Sequence, residues 1–210
     1  MANQRKEEII MATLELAAEH GLGNVSMGMI AQRVGIRKPS LYNHFASKGE
    51  IVEAMYRYLR EQAKAGTGEA VVDYKTMFQD KSAQEILRMC VLGYQNMNRD
   101  KNMYMFYKVI YSERSLHPAA ARIVVEETER MIIATKQLFY AMQIQGKLHF
   151  EDPDMSAVTF AMTVHGLIDY TFDRENMEET PDKPAVLRLS LEQYIEWFCR
   201  ENLPGKEQKK

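Results

Sequence analysis

The chain has 210 residues, of which 46% are hydrophobic and 27% charged, with a formal charge of -2. That length can bury a sizeable core in one or two domains without disulfide staples. The near-neutral balance means that any affinity for nucleic acid has to reside in a local patch. Cys90 and Cys199 are the two cysteines, too few for a disulfide framework and without the CxxC spacing of a metal site. No run of about 20 apolar residues offers a membrane span, and the opening MANQRKEEII lacks the apolar core of a signal peptide. A cytoplasmic chain with no membrane partner is expected.

In chain order, nearly every segment reads as helix, so the predicted fold class is all-α. Ile10, Leu14 and Ala17 recur at i, i+4, i+7 and form one apolar stripe, which Gly21 terminates. Ser26 is placed to cap a second helix carrying Ile30 and Val34, and Gly35 ends it. A short third helix opens at Lys38-Pro39, where proline is tolerated in a first turn, and ends near Phe45. Ser47 to Glu50 has the spacing of a capping box for a long fourth helix with Ile51, Met55, Tyr58 and Leu59 on one side, ending at Gly66-Thr67-Gly68. Residues 69–81 read as a connector. Five further helices are predicted near 83–98, 102–115, 118–146, 154–175 and 184–201, with Pro118, Pro153 and Pro184 at or just before three of the starts and Gly146 at one end.

Three short helices within the first 45 residues, the last two joined by a tight Gly35 turn with Ile36 as its apolar plug, have the form of a helix-turn-helix. Charge placement agrees. Between Ser26 and Lys48 the chain holds Arg33, Arg37, Lys38 and Lys48 and no acid, a local +4 in a chain of net -2. A basic island of this kind suits a phosphate backbone. Arg37 stands at the opening of the third helix, where a guanidinium can reach base edges in a major groove about 12 Å wide. The alternative is an ordinary three-helix bundle, and for Tyr42 and His44 the alternative is partial core packing.

The residues Ile30-Ala31, Val34-Gly35-Ile36, Leu41-Tyr42-Asn43-His44-Phe45 and Ser47-Lys48-Gly49-Glu50 together resemble the signature of the tetracycline-repressor (TetR) family across about residues 8–55. The resemblance implies a homodimer that binds a double-stranded DNA operator and is released by a small-molecule effector. It implies that Leu41 and Phe45 are core, and that Tyr42, His44 and Lys48 lie at or near the DNA backbone. With the positions around them, the DNA-facing set is Ser26, Met27, Arg37, Lys38, Pro39, Ser40, Tyr42, Asn43, His44 and Lys48. The chain departs from the family at Arg37, where serine is frequent, and at Pro39, where glycine is frequent, so base preference does not carry over from relatives.

On this reading residues 1–46 form the DNA-binding domain and 47–210 a helical domain for ligand binding and dimerisation. Methionine adapts its shape, and a Met- and Tyr-rich region suits either a solid core or a cavity. The cavity reading takes Met89, Tyr94, Phe106, Tyr107, Tyr111, Met131, Met162, His165 and Asp169 as ligand-binding, for a mainly apolar effector with one polar group. His165 and Asp169, one helical turn apart, are either a polar pair in the pocket wall or a satisfied buried pair. The resemblance implies that the last two long helices pair with their mates as a four-helix bundle, for which Phe160, Val164, Leu167, Leu187, Leu191, Tyr194 and Trp197 are the candidates. His149, Glu151, Asp152 and Asp154 are better explained as a capping loop than as a metal site. Neither GxGxxG, a Walker loop, GxSxG nor HExxH occurs, so neither an enzyme nor a cofactor is expected. The rival readings are a helical small-molecule-binding protein and an architectural DNA binder without effector control.

Overall fold

Residues 2–67, 73–97, 101–175 and 190–205 are described by a computed structural model of the protein. Among them there are ten α-helices and no strand: α1 (Ala2–His20), α2 (Met27–Val34), α3 (Lys38–Tyr42), α4 (Lys48–Thr67), α5 (Tyr74–Phe78), α6 (Ala83–Met97), α7 (Lys101–Glu113), α8 (Pro118–Ile144), α9 (Pro153–Glu175) and α10 (Leu191–Glu201). They divide into two compact units, residues 1–70 with 97–127 and residues 71–96 with 128–210, so that α8 contributes its first turns to one and the remainder to the other. No helix among the described residues is long and apolar enough to cross a membrane.

Local chemistry sets the helix ends in the first unit. Gly21 takes φ +78 past the end of α1, and Gly35 takes φ +72 past the end of α2, conformations that a side chain would strain. Ser26 Oγ accepts from Met29 N–H at 3.3 Å and caps α2. The box at α4 differs by one residue from the expected reciprocal pair. Ser47 Oγ accepts from Glu50 N–H at 3.2 Å, but the Glu50 carboxylate reaches back to Ala46 N–H, at 2.6 Å. α1 packs on α2, α4 and α7, and α2 on α3. The core they share holds Ile9, Leu14, Ile30, Leu41, Ile51 and Met55, all fully buried, closed by Phe106 and Ile110 of α7.

In the second unit the connector expected at 69–81 contains the short helix α5. Asp73 Oδ1 caps it by accepting from Lys75 and Thr76 N–H at 3.1 and 3.3 Å, and Phe78 is buried in the core. That core is aromatic. Phe139 stacks on Phe150 at 4.6 Å and meets Phe160 at 5.4 Å and Phe198 at 5.5 Å. On its surface Arg88 and Gln84 of α6 hold Glu192 of α10, the Gln84 amide at 3.0 Å, and these hydrogen bonds lower the Glu192 carboxyl to about 2. Asp152 Oδ1 accepts from Met155 N–H at 2.9 Å, so the acidic loop before α9 is a helix cap, as the sequence predicts. α10 starts at Ser190, whose side chain and that of Gln193 form a reciprocal capping box. The expected start at Pro184 lies outside the described residues.

Candidate nucleic-acid interface

α3 is five residues long, and Arg37, its first flanking residue, supplies no side-chain cap. So short a helix has little stability of its own. It is held by its inward residues, Leu41 and, just beyond it, Phe45, both buried in the core of the first unit. This leaves a contiguous outward face. Arg37, Lys38, Pro39, Ser40, Tyr42 and Asn43 are all exposed, Tyr42 by 47%, and His44 is half-buried. Ser26 is exposed as well, but the Met27 side chain is buried. Any contact from Met27 to an anion therefore has to come through its backbone N–H at the start of α2.

Two basic residues counted in the island are engaged within the protein. Arg33 forks onto α1, with its guanidinium 3.0 Å from Glu15 and 2.7 Å from Glu19, and this contact holds the Glu19 carboxyl below the usual carboxylate range. Lys48 Nζ donates to the carbonyls of Leu22, Gly23 and Val25 at 3.0, 3.4 and 2.9 Å. An ammonium at the first turn of α4 thus ties down the turn between α1 and α2. Exchanging it for methionine, K48M, is expected to lower stability by about 1.5–3 kcal/mol through loss of charge-assisted hydrogen bonds, as well as to weaken DNA binding. Thermal unfolding of the free protein checks this, and an unchanged melting temperature would show that the three carbonyls do not need the ammonium.

The ligand residues expected from sequence fall in both units. Phe106, Tyr107 and Tyr111 belong to the first, and Met89, Tyr94, Met131, Met162, His165 and Asp169 to the second. In the first, Phe106 is core, and Tyr111 is covered by the Arg114 guanidinium 4.8 Å above its ring. In the second, the structure brings three of them together. The Tyr94 hydroxyl lies 3.1 Å from His165 Nδ1, and His165 Nε2 lies 3.6 Å from an Asp169 carboxylate oxygen. Met131 is half-buried, whereas Met89 and Met162 are exposed.

The dimer candidates do not share one face. Phe160, Val164, Leu167 and Tyr194 are buried in the core of their own protomer. The opposite face of α9 carries Met155, Thr159, Met162 and Gly166, spaced i, i+4, i+7, i+11 and all exposed, Met155 by 62%. On α10 Trp197 is exposed by 47% and Leu191 is half-buried. Leu187 lies outside the described residues. Sequence reasoning also missed a cleft of about 490 Å³ between α1 and α4, where Lys6 Nζ sits 5.4 Å over the Phe45 ring beside Glu50, Glu53 and Arg57. Its walls come from segments about 40 residues apart in the chain, and no local pattern announces it.

Residues 9–55 match the family "Bacterial regulatory proteins, tetR family". Residues 76–198 match the family "AefR-like transcriptional repressor, C-terminal domain". The chain is 24% identical over 205 residues to the HTH-type transcriptional regulator BetI of Escherichia coli, covering 97% of this chain and 96% of that protein. It is 22% identical over 149 residues to the nucleoid occlusion factor SlmA of Aliivibrio fischeri, covering 68% of this chain and 65% of that one. Its fold is similar to a transcriptional regulator from Saccharomonospora viridis solved in complex with choline (TM-score 0.63, 16% identity, 95% of this chain and 93% of that one). It is also similar to a TetR-family regulator from Rhodococcus sp. (TM-score 0.61, 18% identity, 95% and 98%).

Proposed function

The chain belongs to the TetR family of bacterial transcriptional regulators, and from that premise we propose that it is a homodimeric repressor whose residues 1–46 read a DNA operator and whose residues 47–210 answer a small cytoplasmic effector. The observation that carries the DNA half is the division of α3. Leu41 and Phe45 anchor it to the core while Arg37, Lys38, Pro39, Ser40, Tyr42 and Asn43 face away from the protein. Ser26, the Met27 N–H and His44 stand at the edges of that face as phosphate contacts. Lys48 acts mainly by holding the turn that presents α2.

One such helix reads few base pairs, and a two-fold dimer doubles the contacts and matches a palindromic operator. We assign the dimer surface to the outward stripe of α9, Met155, Thr159, Met162 and Gly166, with Leu191 and Trp197 of α10. Thr159 and Gly166 let a second helix approach closely between two adaptable methionines. The effector site of the second unit is assigned to the Tyr94–His165–Asp169 relay. These groups offer an effector a few convergent polar contacts on an otherwise apolar helix surface. DNA and effector favour different states of the dimer, so each weakens the other by the same coupling energy, typically about 1–3 kcal/mol. The choline complex of a fold relative supports a small molecule as the effector class.

Arg37→Ala tests the reading face. It is expected to lower affinity for the operator by about 1–3 kcal/mol, the worth of a bidentate base contact, and to change affinity for random DNA much less at the same salt concentration. Parallel losses on both DNAs would reduce Arg37 to a phosphate contact.

A further inference from the structure

The cleft between α1 and α4 combines an apolar lining with a rim of charge. Ile10 and Phe45 are buried in its wall, and Ala54 and Tyr58 are half-buried. Around them stand Glu7, Glu50 and Glu53 with Lys6 and Arg57, three carboxylates against two cations. The face of the Phe45 ring already serves as a cation site. Lys6, early in α1, lays its ammonium 5.4 Å from the ring centroid, within the range of a cation–π contact. A lysine side chain is a compact ammonium on a flexible four-carbon stem. The cleft therefore holds a linear amine that the chain itself supplies.

The carboxylates of the rim are only partly committed. One oxygen of Glu50 accepts from Ala46 N–H. Glu7 and Glu53 make neither a hydrogen bond nor an ion pair among the described residues, although Lys6 and Arg57 share the cleft with them. Lys6 is exposed, and a cation–π contact at an exposed site is weak, so a second cation can displace it at small cost. Once Lys6 swings out, Arg57 alone stands against the three carboxylates.

We propose that this cleft is a binding site for a linear aliphatic diamine or polyamine. One ammonium of the ligand takes the Phe45 ring face from Lys6, the second lies among Glu7, Glu50 and Glu53, and the methylenes between them cover Ile10, Ala54 and Tyr58. A neutral chain of the same length forgoes the charge-assisted hydrogen bonds to the carboxylates, and a dicarboxylate meets like charges. The cleft, about 490 Å³, admits such a chain together with water. It is distinct from the Tyr94–His165–Asp169 relay, which belongs to the second unit. DNA concentrates cations along its phosphates, so a reading head is a place where a chain meets multivalent amines. That consequence rests on the regulator reading, whereas the site itself does not.

The test is an NMR titration of the full chain with 1,5-diaminopentane, without DNA and at constant ionic strength. 1,5-Pentanediol is the neutral counterpart of the probe, and glutarate the anionic one. The diamine is expected to shift the amide signals of Lys6, Phe45, Glu53 and Arg57 saturably, and the diol and glutarate to bind at least about tenfold more weakly. Lys6→Met removes the tethered competitor and is expected to bind the diamine about three- to tenfold more tightly. Glu53→Gln is expected to bind it about three- to tenfold more weakly. Both positions are exposed, so both variants are expected to melt close to the wild type.

Shifts that do not saturate, or that spread over the acidic surface and miss the cleft, would overturn the proposal. So would equal binding of the diol, a K6M variant that binds the diamine no more tightly than the wild type, or an E53Q variant with undiminished affinity. Operator binding measured separately on the same preparations keeps the two readings apart. Intact operator binding with any of these outcomes removes the amine site alone, and failure to bind DNA with the expected titrations removes the regulator alone.

Discussion

An L41A variant is expected to lose about 2–5 kcal/mol of stability, the usual loss for a buried leucine truncated to alanine, and with it specific DNA binding. The large effect follows from how little else holds α3. The helix has five residues and no side-chain cap at Arg37, so its position depends on Leu41 and Phe45 in the core. Removing the isobutyl group leaves a cavity beneath the reading face and frees α3 to tilt, which misplaces every outward side chain at once. Chemical denaturation gives the stability change, and fluorescence anisotropy on operator and random DNA gives the binding change. Specific affinity is expected to fall toward the non-specific level while non-specific affinity changes little, because the phosphate contacts need only charge near the groove. A variant with near-native stability and unchanged operator affinity would mean that α3 is held by something other than Leu41.

In the second unit the largest effect is expected from Phe139→Ala, about 3–5 kcal/mol. Phe139 is fully buried and makes three of the aromatic contacts of the core. It is stacked nearly parallel on Phe150, with an interplanar angle of 7° at 4.6 Å, and it also touches Phe160 of α9 and Phe198 of α10. Truncation removes the ring on which α8, α9 and the turn at Phe150 converge. The helices are expected to keep much of their far-ultraviolet signal while the denaturant midpoint drops, and Phe139→Leu is expected to recover a substantial part of the loss by refilling volume. Because α9 and α10 carry the assigned dimer surface, the variant is also expected to dissociate at higher protein concentration than the wild type in sedimentation experiments.

Much of the fold was legible because helix boundaries are local chemistry. Ser26, Gly21, Gly35, Gly146, Pro118 and Pro153 each mark a boundary through a cap, a left-handed φ or a missing N–H, and the structure places them so. The short helix α5 escaped because five residues carry no periodicity, although Asp73 followed by a hydroxyl at Thr76 was a readable cap. What could not be read is which partner a side chain finds at a distance. The span from Ser26 to Lys48 is acid-free in sequence, but Arg33 meets carboxylates 14 and 18 residues earlier on α1, and Lys48 turns to carbonyls more than twenty residues earlier. The faces of α9 were ambiguous for a different reason. Both are apolar, one with Phe160 and Val164 and the other with Met155 and Met162, so hydrophobic periodicity alone could not say which faces the protomer's own core.

The central claim, that this chain is a sequence-specific DNA-binding regulator, is tested most directly by anisotropy titration of the purified protein against the DNA upstream of its own gene and against random DNA, over a range of salt. Binding to the upstream DNA is expected to be tighter by about 10³-fold or more at physiological salt, with both affinities falling as salt rises. Equal affinity for both DNAs at every salt concentration, or no binding to either, would contradict it.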